Sequence, residues 1–165
     1  MKKVAVIMGS DSDLPALTPA LDTLKELDIP FCARVISAHR TPEIAAEFAK
    51  NAEGEGYGAL IAAAGKAAHL AGALAANTVL PVIGIPVSAS KLDGMDALLS
   101  TVQMPVGIPV ATVAIDGAKN AALLAAQILA VSDKTLSEKL KAMRAGQREA
   151  IAKKDEIISK EYSNL

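Results

Sequence analysis

An α/β domain with a three-layer, doubly wound parallel sheet is the fold this sequence predicts. Short apolar runs without alternation, the mark of strands buried on both faces, recur along the chain. Segments of helical periodicity separate them, and the loops between are short and rich in Gly, Pro and Ser. With 165 residues the chain is long enough for one core and too short for two ordinary ones, so a single domain over residues 1–165 is expected.

Residues 3–8 form the first run and read as a strand that ends at the turn Gly9-Ser10-Asp11-Ser12-Asp13. Ser12 or Asp13 is placed to cap a helix that runs to about Asp28, before Pro30. Phe31 to Ile36 is the second strand. Thr41-Pro42-Glu43 then supplies a cap with proline at the first helical position, and that helix should end near Gly54 or Gly56. Ala59–Ala64 reads as the third strand, Ala68–Asn77 as a short helix and Val82–Ile85 as the fourth strand. A helix over Asp93–Val102, a fifth strand over Pro109–Ala114 and an apolar helix over Ala118–Ala130 follow. The core thus spans about residues 3–130. A more polar helix from Asp133 to about Lys154, with a tail to Leu165, completes the chain. Right-handed crossovers and a strand order of 2-1-3-4-5 make the expected architecture flavodoxin-like or Rossmann-like, five strands with a C-terminal helix.

Composition narrows the function. A formal net charge of -1, with two Phe, two Tyr and no Trp, offers neither the basic footprint nor the stacking surface of a nucleic-acid binder. Cys32 is the only cysteine, which excludes an intrachain disulfide and a thiolate metal cluster; in a strand it reads as a small buried hydrophobe. Two uncharged stretches, residues 70–90 and 97–115, are broken by Pro81, Pro86, Pro105 and Pro109, so they read as successive strands and turns rather than membrane spans. The first apolar run is too short for a signal peptide, and a cytoplasmic protein is expected. Alanine pairs such as Ala121-Ala122 and Ala125-Ala126 allow close backbone approach, both in the core and between subunits. A mean hydropathy of +0.33 adds to the expectation of a homo-oligomer. Met95, Met104 and Met143 read as core or interface filling.

The polar residues gather where such a sheet binds ligands, at the carboxyl ends of its strands. In the first loop Gly9, Ser10 and Ser12 can cradle a phosphate and Asp13 can accept from ribose hydroxyls, although the same residues also suit an ordinary turn and cap. The second loop, Ser37-Ala38-His39-Arg40, brings an imidazole suited to moving protons at neutral pH and a guanidinium suited to anionic oxygens. In the third, Gly65 permits close backbone approach, and Lys66 is either solvated or in touch with substrate anions. His69, before Leu70, is either a loop-fixing residue or part of the site. Two histidines without a companion carboxylate at ligand spacing argue against a zinc site. Ser88-Ala89-Ser90 adds a hydroxylated rim, and the proline-rich segment Gln103-Met104-Pro105 can close a pocket wall.

Taken together, Gly9–Asp13, Ser37–Pro42, Ala67-Ala68-His69-Leu70, Gln103-Met104-Pro105 and the segment from Asn120 to Leu129 resemble the N5-carboxyaminoimidazole ribonucleotide mutase family (PurE, class I; the catalytic subunit of phosphoribosylaminoimidazole carboxylase) over residues 3 to about 150. The resemblance implies an isomerase of purine biosynthesis that moves a carboxylate from an exocyclic nitrogen to ring carbon C4, with no ATP, biotin or metal, in a homo-octamer with active sites at subunit junctions. It implies Ser10, Asp13 and Arg40 on the phosphate and ribose and His39 in proton transfer. Ser37, Gly65, His69 and Leu70 would lie around the base and the migrating carboxylate; Gly9, Ser12, Ala38 and Lys66 are added as substrate-binding candidates from their places in the same three loops. The rival reading is a carboxylase branch, a lyase that uses free carbon dioxide on the same fold. Two departures stand out: Lys66 occupies the place of a second glycine, and Ala71 stands where a proline commonly follows His-Leu.

Overall fold

The computed structural model describes residues 1–89 and 91–163. Its centre is β1 (Lys3–Met8), whose residues from Val4 to Met8 are all buried because both faces of the strand carry helices. Around it the sheet runs β2-β1-β3-β4-β5, every pair parallel, with β2 at Phe31–Val35, β3 at Tyr57–Gly65, β4 at Val82–Val87 and β5 at Ala111–Thr112. The expected order of 2-1-3-4-5 is the one observed.

Alternation along the strands divides the core in two. Val4, Val6, Ile61, Ile83 and Ile85 face α1 (Leu14–Glu26) and α5 (Ala118–Ala130), with Leu136 and Leu140 of α6 (Lys134–Tyr162) packed outside them. Ala5, Ile7, Leu60, Ala62 and Val82 face α2 (Pro42–Ala52) and α3 (Leu70–Ala75). On that second side α4 (Met95–Val102) places the Thr101 methyl over Gly84, where a Cβ would lie 2.4 Å from it. Since Ala118, Ala121, Ala122, Ala125 and Ala126 are fully buried within the chain itself, they leave no surface for a second subunit. The double role expected of the alanine pairs therefore does not hold in α5, whereas Val79, Val106 and Val131 are apolar and exposed.

Several element ends differ from expectation for identifiable reasons. Asp93 and Gly94 have φ of 50° and 84°, outside the right-handed helical region, so α4 begins two residues later than its sequence suggests. Lys66 has φ of 57°, and the turns that follow it, Ala68 N to Lys66 O and His69 N to Ala67 O, delay α3 to Leu70. β4 continues through Pro86 because its missing N–H faces the β5 side, beyond the point where the two-residue β5 stops pairing. Pro109 shortens β5 at its start, since it has no N–H to give to β4. The first helix is capped differently too: Ser10 caps a 3-10 turn over Asp11–Asp13, and the Asp13 side chain makes no capping bond. Thr41 likewise bonds back to Ser37 rather than to its own helix. The last helix runs on to Tyr162, with no Gly or Pro after Gly146 to stop it.

Cys32 is half-buried rather than core, with Sγ 3.0 Å from the Tyr57 hydroxyl. Burial, then the hydrogen bond with Cys32, pushes the Tyr57 phenol up to about 12. Met95 is 52% exposed and fills no core. Of the predicted hydroxylated rim Ser88 is exposed, while Ser90 and the tail residues Asn164 and Leu165 lie outside the described residues. No described helix is long and apolar enough to cross a membrane.

Candidate active site

Three consecutive strand ends, those of β2, β1 and β3, deliver loops to the same side of the sheet, and the space between them is an open cavity of about 520 Å³. Gly9, Ser10, Ser12 and Asp13 line it from the loop after β1. Ser37, Ala38, His39 and Arg40 enter from the loop after β2, and Gly65, Lys66, His69 and Leu70 from the loop after β3. All the residues singled out for substrate and proton chemistry therefore share one cavity. A larger hollow of about 970 Å³ lies at the opposite, amino end of β4, but only Lys50 and Glu53 bring charge to it. Chemistry argues for the smaller space.

The first loop is built by its own serines. Ser10 is extended, at φ -150°, and its Oγ accepts from Ser12 N at 3.3 Å and from Ser12 Oγ at 2.9 Å. Arg40 ties this loop to the next: Nη2 donates to Gly9 O at 2.7 Å and Nε to Ser37 Oγ at 3.3 Å. A guanidinium carries five N–H donors, so about three remain for an anion after these two bonds. Ser37 is braced from the other side, its N–H donating to Thr41 Oγ1 at 3.1 Å while that hydroxyl donates back to Ser37 O at 2.9 Å. Neither imidazole hydrogen-bonds to any described residue, although both histidines are exposed into the cavity. Their ring nitrogens are left for a ligand.

Asp13 is only 8% exposed, and burial raises its carboxyl above the ordinary 3.8, against the lowering effects of its Ser10 backbone bond and the Arg40 charge. As pH rises from 3.8, the unfolded chain ionises here before the folded one, so this group lowers stability with rising pH until the folded carboxyl has also titrated. Asp13→Asn should accordingly melt higher than wild type at pH 7, with the gap closing as pH falls toward 3.8, while nucleotide affinity drops. Thermal melts at several pH values measure the first effect and titration calorimetry the second. An Asn variant that melts lower at pH 7 would mean that the carboxylate stabilises the fold.

His69 is positioned by packing. A Cβ on Gly72 would lie 2.6 Å from His69 Cε1 and 2.9 Å from Nδ1, with Met104 Sδ at 3.1 Å, so the imidazole rests against the bare backbone of α3 beside the Met104 sulfur. Gly72→Ala should leave stability unchanged or raise it by up to about 1 kcal/mol, since alanine suits a helix better. Turnover should nevertheless fall about tenfold because the ring is displaced. Unshifted His69 imidazole resonances in the variant would show that the ring does not rest there.

Ala64, Ala67 and Ala89, from the end of β3, the loop after it and the predicted rim after β4, complete the lining, and two further residues that steady these loops were not anticipated. Buried Thr101 bonds to Ala97 O at 2.7 Å and reaches Ala68 O at 3.2 Å, steadying the third loop. Asp116, at φ 55°, accepts from Ser88 N at 3.0 Å and from Ser88 Oγ, anchoring the segment that carries Ala89. At Lys66 the left-handed backbone explains why glycine would suit the position: a residue with a side chain is held there at a cost of about 1 kcal/mol.

Residues 3–150 match the family described as AIR carboxylase. The chain is 56% identical to an N5-carboxyaminoimidazole ribonucleotide mutase of Pyrococcus abyssi, over 87% of this chain and 83% of that one. A mutase of the same name from Thermotoga maritima is 48% identical over 99% and 98% of the two chains. Among solved structures, Treponema denticola PurE superposes with a TM-score of 0.85 at 30% identity, covering 93% of this chain and 96% of its own.

Proposed function

Because this chain belongs to the AIR carboxylase family, we propose that it is an isomerase converting N5-carboxyaminoimidazole ribonucleotide to 4-carboxy-5-aminoimidazole ribonucleotide in purine biosynthesis. The observation that carries this reading is the extent of identity: relatives bearing the mutase name match at 56% and 48% over most of both chains. Their name favours the mutase over the carboxylase that uses free carbon dioxide.

In this reading Arg40 and Ser10 bind the phosphate and Asp13 the ribose, with Gly9 and Ser12 completing the cradle. Ser37, Ala38, Gly65, Lys66, His69 and Leu70 surround the base and its carboxylate. His39, protonated, gives its proton to the exocyclic nitrogen as the N–C bond of the carbamate breaks, leaving a neutral amine, carbon dioxide and a neutral imidazole. Ring carbon C4 then attacks the trapped carbon dioxide. The C4 proton passes to His39, aromaticity returns and the imidazolium is regenerated, so protons balance without an external carrier. Holding the ring by phosphate and ribose keeps C4 facing the carbon dioxide through the intermediate. No cofactor enters the scheme.

The protein is proposed to work as a cytoplasmic homo-octamer without nucleic-acid or membrane partners. Support for assembly comes from the apolar residues left exposed on the single chain, Val79, Val106, Ile151 and Ile157 among them. The deciding experiment incubates the purified protein with the carbamate nucleotide and no ATP. Enzymatic conversion to the C4 carboxylate is expected; a folded protein that binds the nucleotide without converting it would overturn the assignment.

A further inference from the structure

Lys66 is the first residue after β3, exposed, and part of the cavity wall. No hydrogen bond or ion pair joins its ammonium to any described residue. Its backbone sits at φ 57°, where glycine would be at ease, so local structure does not call for a lysine. The other fixed cation of the cavity, Arg40, is committed in part to holding two loops together. Among the described residues only one carboxylate, Asp13, lines the same space, so the fixed charge there favours anions.

Topology separates the two loops that carry the cations. β1 lies between β2 and β3, so the backbones of Arg40 and Lys66 leave strands two interstrand spacings apart, roughly 10 Å, while the Arg40 guanidinium reaches back to Gly9 O at the end of β1. Asp13 comes from the strand between them. A carboxylated ribonucleotide has the matching layout: a phosphate at one end, ribose hydroxyls in the middle, and a second anion on the base at the other end. We infer that Lys66 recognises the carboxylate of substrate and product, and so determines the preference of this protein for carboxylated over decarboxylated nucleotide. This rests on the mutase reading above. An ammonium on a flexible four-carbon stem can follow the carboxylate between the exocyclic nitrogen and C4, a displacement that a rigid bidentate fork would track less well. It interacts weakly with neutral carbon dioxide, so it favours both carboxylated ends of the reaction over the intermediate between them.

The test compares the affinities of two stable nucleotides by titration calorimetry: the C4-carboxylated product and aminoimidazole ribonucleotide, which lacks only the carboxylate. Lys66→Gln and Lys66→Gly should each weaken binding of the carboxylated nucleotide about tenfold and leave the other unchanged. Lys66→Arg should retain most of the preference. Including glycine separates charge from backbone, because it relaxes the left-handed turn while removing the ammonium. Equal affinities across the variants, or equal losses for both nucleotides, would overturn the role of Lys66. Turnover of the carbamate by wild type in the same preparation keeps the two readings apart. Its absence counts against the mutase assignment, whereas normal turnover with an unaltered preference in the variants counts against Lys66 alone.

Discussion

His39→Asn should lower turnover of the carbamate nucleotide by at least about 10²-fold while leaving nucleotide affinity nearly intact. The magnitude is the lower end of what a positioned acid–base group contributes. Asparagine keeps approximate size and some hydrogen bonding, so the loss isolates proton transfer. The structural grounds are specific: the imidazole lines the cavity and makes no hydrogen bond to a described residue, so nothing in the fold depends on its ring nitrogens. Melting temperature should therefore change little. Single-turnover kinetics at saturating substrate, with calorimetric binding of the product nucleotide, check both halves. Near-normal turnover would remove His39 from the chemistry; lost affinity alone would make it a substrate-holding residue.

Arg40→Ala should give the complementary signature, a rise of at least about 10²-fold in nucleotide Kd with a much smaller change in turnover at saturation. Hydrogen bonds to a charged group contribute about 1.5–3 kcal/mol each, and a bidentate grip on phosphate makes two of them. The guanidinium also bonds to Gly9 O and Ser37 Oγ, so its removal unties the first loop from the second and adds to the loss. Arg40→Lys should recover only part of the affinity, since a single ammonium cannot brace both loops and hold the phosphate. Fluorescence or calorimetric titration against the product nucleotide measures the effect. Unchanged Kd in both variants would rule out a phosphate role for Arg40.

The parts of this fold that were legible in the sequence are those controlled by continuous burial. Residues 3–8 and 118–130 were read with the bounds observed because runs such as Val-Ala-Val-Ile-Met and Ala-Ala-Leu-Leu-Ala-Ala have few other uses in a globular protein. Helix starts were less legible, since single residues of unusual backbone conformation decide them. Asp93-Gly94 and Asp116-Gly117 are Asp-Gly pairs, a recognised turn signal that could have moved the start of α4 and marked the anchor of Ser88. Lys66 had no such signal, for lysine does not advertise a left-handed turn. The gathering of loops was legible from strand order alone, because a 2-1-3 arrangement brings the exits of the first three strands side by side. What holds those loops was not. The Arg40–Gly9 bond spans 31 residues, and the seat of His69 depends on Gly72 three residues later and on Met104 from the segment after α4.

The last helix divides the chain into two regimes of local opening. Its first turns are fastened by Leu136 and Leu140 in the core and by Lys139, which bonds to Leu27 O at 3.2 Å and Asp28 Oδ2 at 2.7 Å. From residue 146 to 162 every position is exposed, Ile151, Ile157, Ile158 and Tyr162 included. A helical arm of this length without tertiary contacts is marginal in water, so its amides in an isolated chain should trade hydrogen for deuterium almost as fast as an unstructured peptide. Near Leu136 and Leu140 exchange should instead be limited by opening of the packed body. Slow exchange along the arm would thus reveal a covering subunit, and the dilution at which that protection disappears would give the strength of the assembly residue by residue.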